Sequence, residues 1–177
     1  ELVIGLMFGP LCMLGIQSAL TGTMFSWPML CMSLAIGSMV TNIVYVHSVM
    51  EVDADGQLGK MTFARLLKNK AAMIVFIGFF ALVPFAMLVL GIMMGWWSAW
   101  YLMTLLTLPM SIFLIHSTRL FAYGLPREDK PRWWMGPMGD WDNYVKAGID
   151  WFLFRWLLAR NICTFFCLIV IIVTLIV

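Results

Sequence analysis

An all-α integral membrane protein of about five transmembrane helices is the fold class this sequence predicts, and three observations predict it. Sixty-three per cent of the 177 residues are hydrophobic and only 11% are charged, outside the range of ordinary soluble domains. The apolar residues fall in five continuous runs, each near the roughly 20 residues that span a hydrocarbon core at about 1.5 Å rise per residue. Lys and Arg collect between some of these runs and avoid the others. A β-barrel is excluded by the continuity of the runs, which do not alternate at period two.

In chain order, the spans are expected at 2–20, 24–47, 71–94, 96–116 and 152–177, within a single helical domain. The only interruptions are Gly, Pro, Ser, Thr or Asn, which membrane helices tolerate when neighbours satisfy the freed backbone groups. Pro10, Pro84 and Pro109 are expected to kink their helices, and Pro28 suits a first turn. The first run lacks a basic leader and a small-residue cleavage site, and four spans follow it, so it is not read as a signal peptide. The chain opens at Glu1 and enters a helix almost at once, which suggests part of a longer protein whose N-terminal half is missing.

The turns at 21–23 and at Gly95 carry no Lys or Arg, whereas Lys60, Arg65, Lys68 and Lys70 lie in one long loop. Arg119, Arg127, Lys130, Arg132 and Lys146 follow the fourth run, and Arg155 and Arg160 lie near the start of the fifth. The positive-inside rule then puts loops 48–70 and 117–151 in the cytoplasm, with the N-terminus beside them and the C-terminus across the membrane. The setting that fits is a bacterial inner membrane. Net charge is only +2, and no nucleic acid is expected as a partner.

Cys12, Cys31, Cys163 and Cys167 all fall in apolar runs and read as small hydrophobes, and the sixteen methionines read as packing filler. Trp96, Trp97, Trp100 and Tyr101 form an aromatic interface belt at the outer turn. Trp133, Trp134, Trp141, Tyr144 and Trp151, interleaved with basic residues, suggest a segment lying in the headgroup plane.

Acidic groups cluster in one place, where Glu51, Asp53 and Asp55 stand within five residues at the mouth of the second span. Like charges so close need a cationic counterpart, and a divalent metal is one candidate. If the helix continues past His47, then His47, Glu51 and Asp55 stack on one face at i, i+4 and i+8 while Asp53 points elsewhere. Two carboxylates one turn apart can hold Mg²⁺, which keeps waters and shares its shell with phosphate oxygens. Gly56 and Gly59 would let the chain bend so that Lys60 returns to the same phosphates. A merely solvated loop explains the same charges, and spacing does not separate the two readings.

Asn42-x-x-Tyr45 followed by Glu51-x-x-x-Asp55-x-x-x-Gly59-Lys60-x-Thr62 resembles the second aspartate-rich motif, Asp-x-x-x-Asp-x-x-x-Gly, of the UbiA superfamily of intramembrane prenyltransferases. The Gly-Lys-x-Thr continuation is similar to the branch that prenylates 1,4-dihydroxy-2-naphthoate in menaquinone biosynthesis. Phe8-Gly9-Pro10 resembles the start of that branch's fifth helix. The resemblance implies helices five to nine of a nine-helix bundle, with motif loops in the cytoplasm. It also implies a polyprenyl diphosphate donor bound through Mg²⁺, an aromatic acceptor, Glu51 and Asp55 as metal ligands, and Lys60 as a diphosphate contact. Asn42, Tyr45, His47, Asp53 and Arg119 are further candidates for the site. Glu51 stands where Asp is usual, and His47-Ser48-Val49-Met50 replaces the Asn-Asn-x-Arg of many naphthoate enzymes. The first aspartate motif is not in these 177 residues, so the chain alone is expected to be inactive. From another class, half of a transporter or channel with an acidic gate loop also fits the charge pattern. The absence of mid-membrane ionisable groups counts against it.

Overall fold

Hydropathy dictates five spanning helices, and the computed structural model, which describes residues 1–177, has five. We number the helices α1 to α8: α1 (Leu2–Thr21), α2 (Trp27–Met50), α3 (Val52–Gln57), α4 (Phe63–Leu67), α5 (Lys70–Met93), α6 (Ala99–Ala122), α7 (Trp141–Lys146) and α8 (Asp150–Ile176). The spans are α1, α2, α5, α6 and α8; α3, α4 and α7 are short helices at the charged end of the bundle.

Pro10 breaks α1 as expected. Its missing N–H is absorbed by a π-helical turn over Met7–Leu11, with Gly9 pushed to φ −94°, ψ −105°. The same glycines let α1 lie directly on α2. A Cβ on Gly37 would fall 2.6 Å from the Gly5 carbonyl oxygen and 3.0 Å from Gly9 Cα, so the two backbones touch. Ser26 caps α2 by accepting from the Met29 N–H at 3.4 Å, and Pro28 occupies the first turn, where its lost donor is not needed. Pro84 sits inside an unbroken α5, so the kink expected there is not a break. Pro109 is not mid-helix: α6 begins as a 3₁₀ helix over Ala99–Thr107 and becomes α-helical at Leu108, placing Pro109 in the first α-helical turn.

Central in the bundle, α2 packs against α1, α5 and α8. Tyr45, Ile77, Leu114, Phe154 and Phe166 are among the fully buried side chains of the common core. Large apolar residues such as Val75, Leu106 and Leu175 lie exposed on the flanks, as a lipid solvent allows. Opposite the charged end, Tyr101 and Thr174 share a 2.8 Å hydrogen bond that ties the start of α6 to the end of α8.

Helices extend past the apolar runs in two places. The second span reaches Met50 rather than residue 47, and the fourth ends at Ala122 rather than 116. The backbone ladder carries on through polar residues there, and the Ser48 and Thr118 hydroxyls are satisfied by donating to the Val44 and Leu114 carbonyls. The second and fourth spans begin three residues later than hydropathy suggests, at the Ser26 and Ser98 caps.

The aromatic segment after α6 is only in part an interfacial element. Trp133 is 94% exposed, whereas Trp134 packs edge-on against Phe113 and Trp141 against Phe154. Asn161 of α8 donates to the carbonyls of Met135 and Pro137, both at 2.9 Å, and pins this segment to the bundle.

Candidate functional site

The acidic cluster forms where α2 stops. Glu51 leaves helical geometry (φ −103°, ψ 14°) as the C-cap of α2, and α3 starts one residue later. One turn earlier, His47 lies 2.7 Å from Glu51, Nε2 to Oε2, and its ring meets the edge of Phe152 at the start of α8. The Glu51 side chain is 38% exposed and remains open to a ligand.

Asp55 is nearly enclosed, with 8% of its side chain exposed. Gly59 adopts φ +70°, a left-handed turn that glycine makes without steric cost, and the chain doubles back. The Lys60 N–H donates to the Asp55 carbonyl at 2.9 Å, and Lys60 Nζ reaches Asp55 Oδ1 at 3.4 Å. The return of Lys60 is therefore as the sequence suggests, although Gly59 alone makes the left-handed turn. Arg65 of α4 clamps the turn from behind, donating to the carbonyls of Asp55 and Lys60. Thr62 caps α4, and the Glu1 carboxylate accepts the Phe63 N–H at 3.2 Å, tying the first span to this loop.

The expected stack of three does not form as one unit. The kink at Glu51 leaves two separate side-chain pairs, His47 with Glu51 and Asp55 with Lys60. Asp53 points away from both, as expected, into a cleft beside Arg65. Tyr45 is wholly buried, donating from its hydroxyl to the Met73 carbonyl at 3.3 Å, with its ring against Phe63 and Phe80. It anchors α2 to α5. Arg119 is exposed in the last turn of α6, where a cation meets the helix dipole, and it pairs with none of the acids. Asn42 is 5% exposed, and its Oδ1 is the one buried side-chain polar atom without a hydrogen-bond partner. No group of three or more His, Cys, Asp or Glu converges as a ready metal cage. The donor chemistry nonetheless suits a hard cation, since Glu51 and Asp55 offer carboxylate oxygens and Mg²⁺ takes one or two of these with phosphate and water.

The sequence reading missed Arg155. The charge pattern counts it only among the cations at the start of the fifth span, whereas in α8 it is fully buried, at 0% exposure. Asp129 holds it in a fork, at 2.7 Å to Nη2 and 3.2 Å to Nη1, while the carbonyls of Trp151 and Ser117 accept from Nη1 and Nε. The signal was present: an Arg amid Phe, Leu and Trp needs a partner, and Asp129 stands in the adjoining loop.

The family model of the UbiA prenyltransferase family matches residues 1–136, which take in α1 to α6 and every residue of the acidic loop. No curated protein and no solved structure matches the chain.

Proposed function

The chain belongs to the UbiA prenyltransferase family, and on that premise we propose that it carries the second diphosphate-binding motif of an Mg²⁺-dependent transferase moving an isoprenyl group from a polyprenyl diphosphate to an aromatic acceptor. The observation that carries this reading is the doubling-back at Gly59, which sets Lys60 Nζ 3.4 Å from Asp55 just beyond the half-exposed Glu51. Glu51 and Asp55 are the metal-ligating carboxylates, and Lys60 is the cation that meets the diphosphate. Bound there, Mg²⁺ would neutralise charge on the diphosphate as it departs. A family of prenyltransferases does not favour the transport reading.

Each carboxylate already holds an exchangeable partner, His47 on Glu51 and Lys60 on Asp55. Ligand binding would exchange these pairs: Lys60 leaves Asp55 for the diphosphate, and His47 releases Glu51. The allylic carbon–oxygen bond then breaks with its electron pair going to the diphosphate, and Lys60 stabilises that charge. The electron-rich ring forms the new carbon–carbon bond, and the attacked ring carbon loses its proton to water, or its carboxylate as carbon dioxide, leaving the bonding pair in the ring to restore aromaticity.

The acceptor we propose is dihydroxynaphthoate, on the strength of the Gly59-Lys60-Met61-Thr62 continuation. The loops bearing Glu51 and Asp129 would face the cytoplasm of a bacterial inner membrane, since Lys and Arg gather at that end of the spans. On this reading Glu51 and Asp55 are half of the donor set of a two-motif site, and these 177 residues alone are expected to be inactive. The test is Glu51→Gln and Asp55→Asn in the complete protein, assayed for prenyl transfer across an Mg²⁺ titration. Loss of activity, or a demand for far more Mg²⁺, is expected. Wild-type rates at low Mg²⁺ would sink the ligand assignment.

A further inference from the structure

On the reverse face of the motif helix lies a cleft of about 580 Å³ that the transferase reading does not use. At 3.6 residues per turn, Val49 sits two residues from both His47 and Glu51, and therefore on the opposite side of α2. Asp53 and Gly56 continue that side along α3, and all three line the cleft. Its rim carries Arg65, Lys68 and Lys70 against a single carboxylate, Asp53. None of these four is in any of the protein's ion pairs. Arg65 spends only Nη1 on its carbonyl acceptors, leaving Nε and Nη2 for the cleft.

Two further features describe the ligand. The floor is apolar, with Val49, Met73 and Phe121 among its residues. Lys70 is the first residue of α5 and Ala122 the last of α6, so the cleft stands where two spans emerge from the hydrocarbon. Lys68 enters it from a left-handed backbone, φ +53°, making it the one non-glycine residue of the chain with positive φ. Unpaired cations over an apolar floor, where two spans leave the hydrocarbon, suit a phosphate group carried on acyl chains.

We propose that this cleft binds the phosphate of an anionic phospholipid, as a site separate from the Glu51–Asp55 motif. Cations near such a surface contribute about 1 kcal/mol each, so removing two weakens binding by about 2 kcal/mol, or about 30-fold. The test titrates the full-length protein in neutral detergent with phosphatidylglycerol, phosphatidylcholine of the same chains, and inorganic diphosphate, counting bound molecules by native mass spectrometry. Expected is preferential retention of phosphatidylglycerol, about 30-fold weaker in the Lys68→Gly/Lys70→Gln double variant and unchanged in Glu51→Gln. Lys68→Gly suits the left-handed turn, and Lys70→Gln alone, about 5-fold weaker, covers the case in which the double variant does not fold. Equal retention of phosphatidylcholine, wild-type binding by the variants, or displacement of the lipid by inorganic diphosphate would each overturn the proposal, the last by making the cleft a free-phosphate site.

Discussion

Replacing Asp129 by alanine leaves the Arg155 guanidinium fully buried with no countercharge. Two charge-assisted hydrogen bonds go, at 2.7 and 3.2 Å, while those to Ser117 and Trp151 remain. Breaking a buried pair by removing one partner costs about 3–5 kcal/mol, because the orphaned charge stays in a low-dielectric setting. The rings of Phe121 and Phe154, 5.0 and 5.9 Å from the guanidinium carbon, offset a part of this. Arg155→Met is milder, at about 1–3 kcal/mol, since Asp129 keeps Arg127 at 3.0 Å and sits on a loop that can return it to water. The double variant should therefore cost less than the sum of the two by about 1–3 kcal/mol. Unfolding in mixed micelles, followed by tryptophan fluorescence, measures all four corners of the cycle, and Trp151 lies beside the pair. Limited proteolysis of residues 123–149 gives a second readout, as Asp129 holds that loop to α8. Additivity within about 0.5 kcal/mol, or an Asp129→Ala cost below about 1 kcal/mol, would refute the reasoning.

Gly37→Ala should separate α1 from α2, because the new Cβ meets the Gly5 carbonyl at 2.6 Å; a loss of about 1–3 kcal/mol is expected in the same unfolding assay. Asn42→Leu removes a buried acceptor that has no partner, so stability should rise by about 1–3 kcal/mol while prenyl transfer by the complete enzyme falls. A variant both stable and fully active would show that Asn42 plays no part in the site. Gly59→Ala forces a β-carbon into φ +70° and should move Lys60 off Asp55, raising KM for the diphosphate substrate more than it lowers stability, about 1 kcal/mol. Asn161→Leu frees the Met135 carbonyl and leaves that of Pro137 to Arg160 alone, and faster proteolysis between Gly136 and Lys146 is the expected result.

The five spans could be read from the sequence because hydrophobicity over 20 residues is a strong, additive signal. Their ends could not, because the helices run on through polar residues such as Ser48 and Thr118, whose hydroxyls find partners on the Val44 and Leu114 carbonyls, and hydropathy registers only the polarity. Of the motif, the return of Lys60 was visible in Gly59, whose type matches a left-handed turn. The division of the acids into two side-chain pairs was not, since it depends on a kink of one residue at Glu51 and on Phe152, a hundred residues away, packing against His47. Pro109 shows the same limit. Proline marks a discontinuity, but only the tertiary fold decides whether that is a kink, as at Pro10, or the start of α-helix after a 3₁₀ stretch.

Charge at one end of the bundle orients the protein and marks the acidic loop, and the structure sorts that charge by how it is neutralised. Arg155 and Asp129 neutralise each other in a bidentate fork with further carbonyl support, and nothing is left over to bind a ligand. Glu51 and Asp55 are neutralised by partners that stay accessible: the His47 and Lys60 side chains are 42% and 61% exposed. Such pairs contribute little to stability, so they can open for a substrate at small cost. Lys68 and Lys70 are not neutralised within the protein at all. The order of accessibility is thus an order of function. Substitutions should move stability most at the fork and catalysis most at the motif, and the retention of anionic lipid most at the cleft.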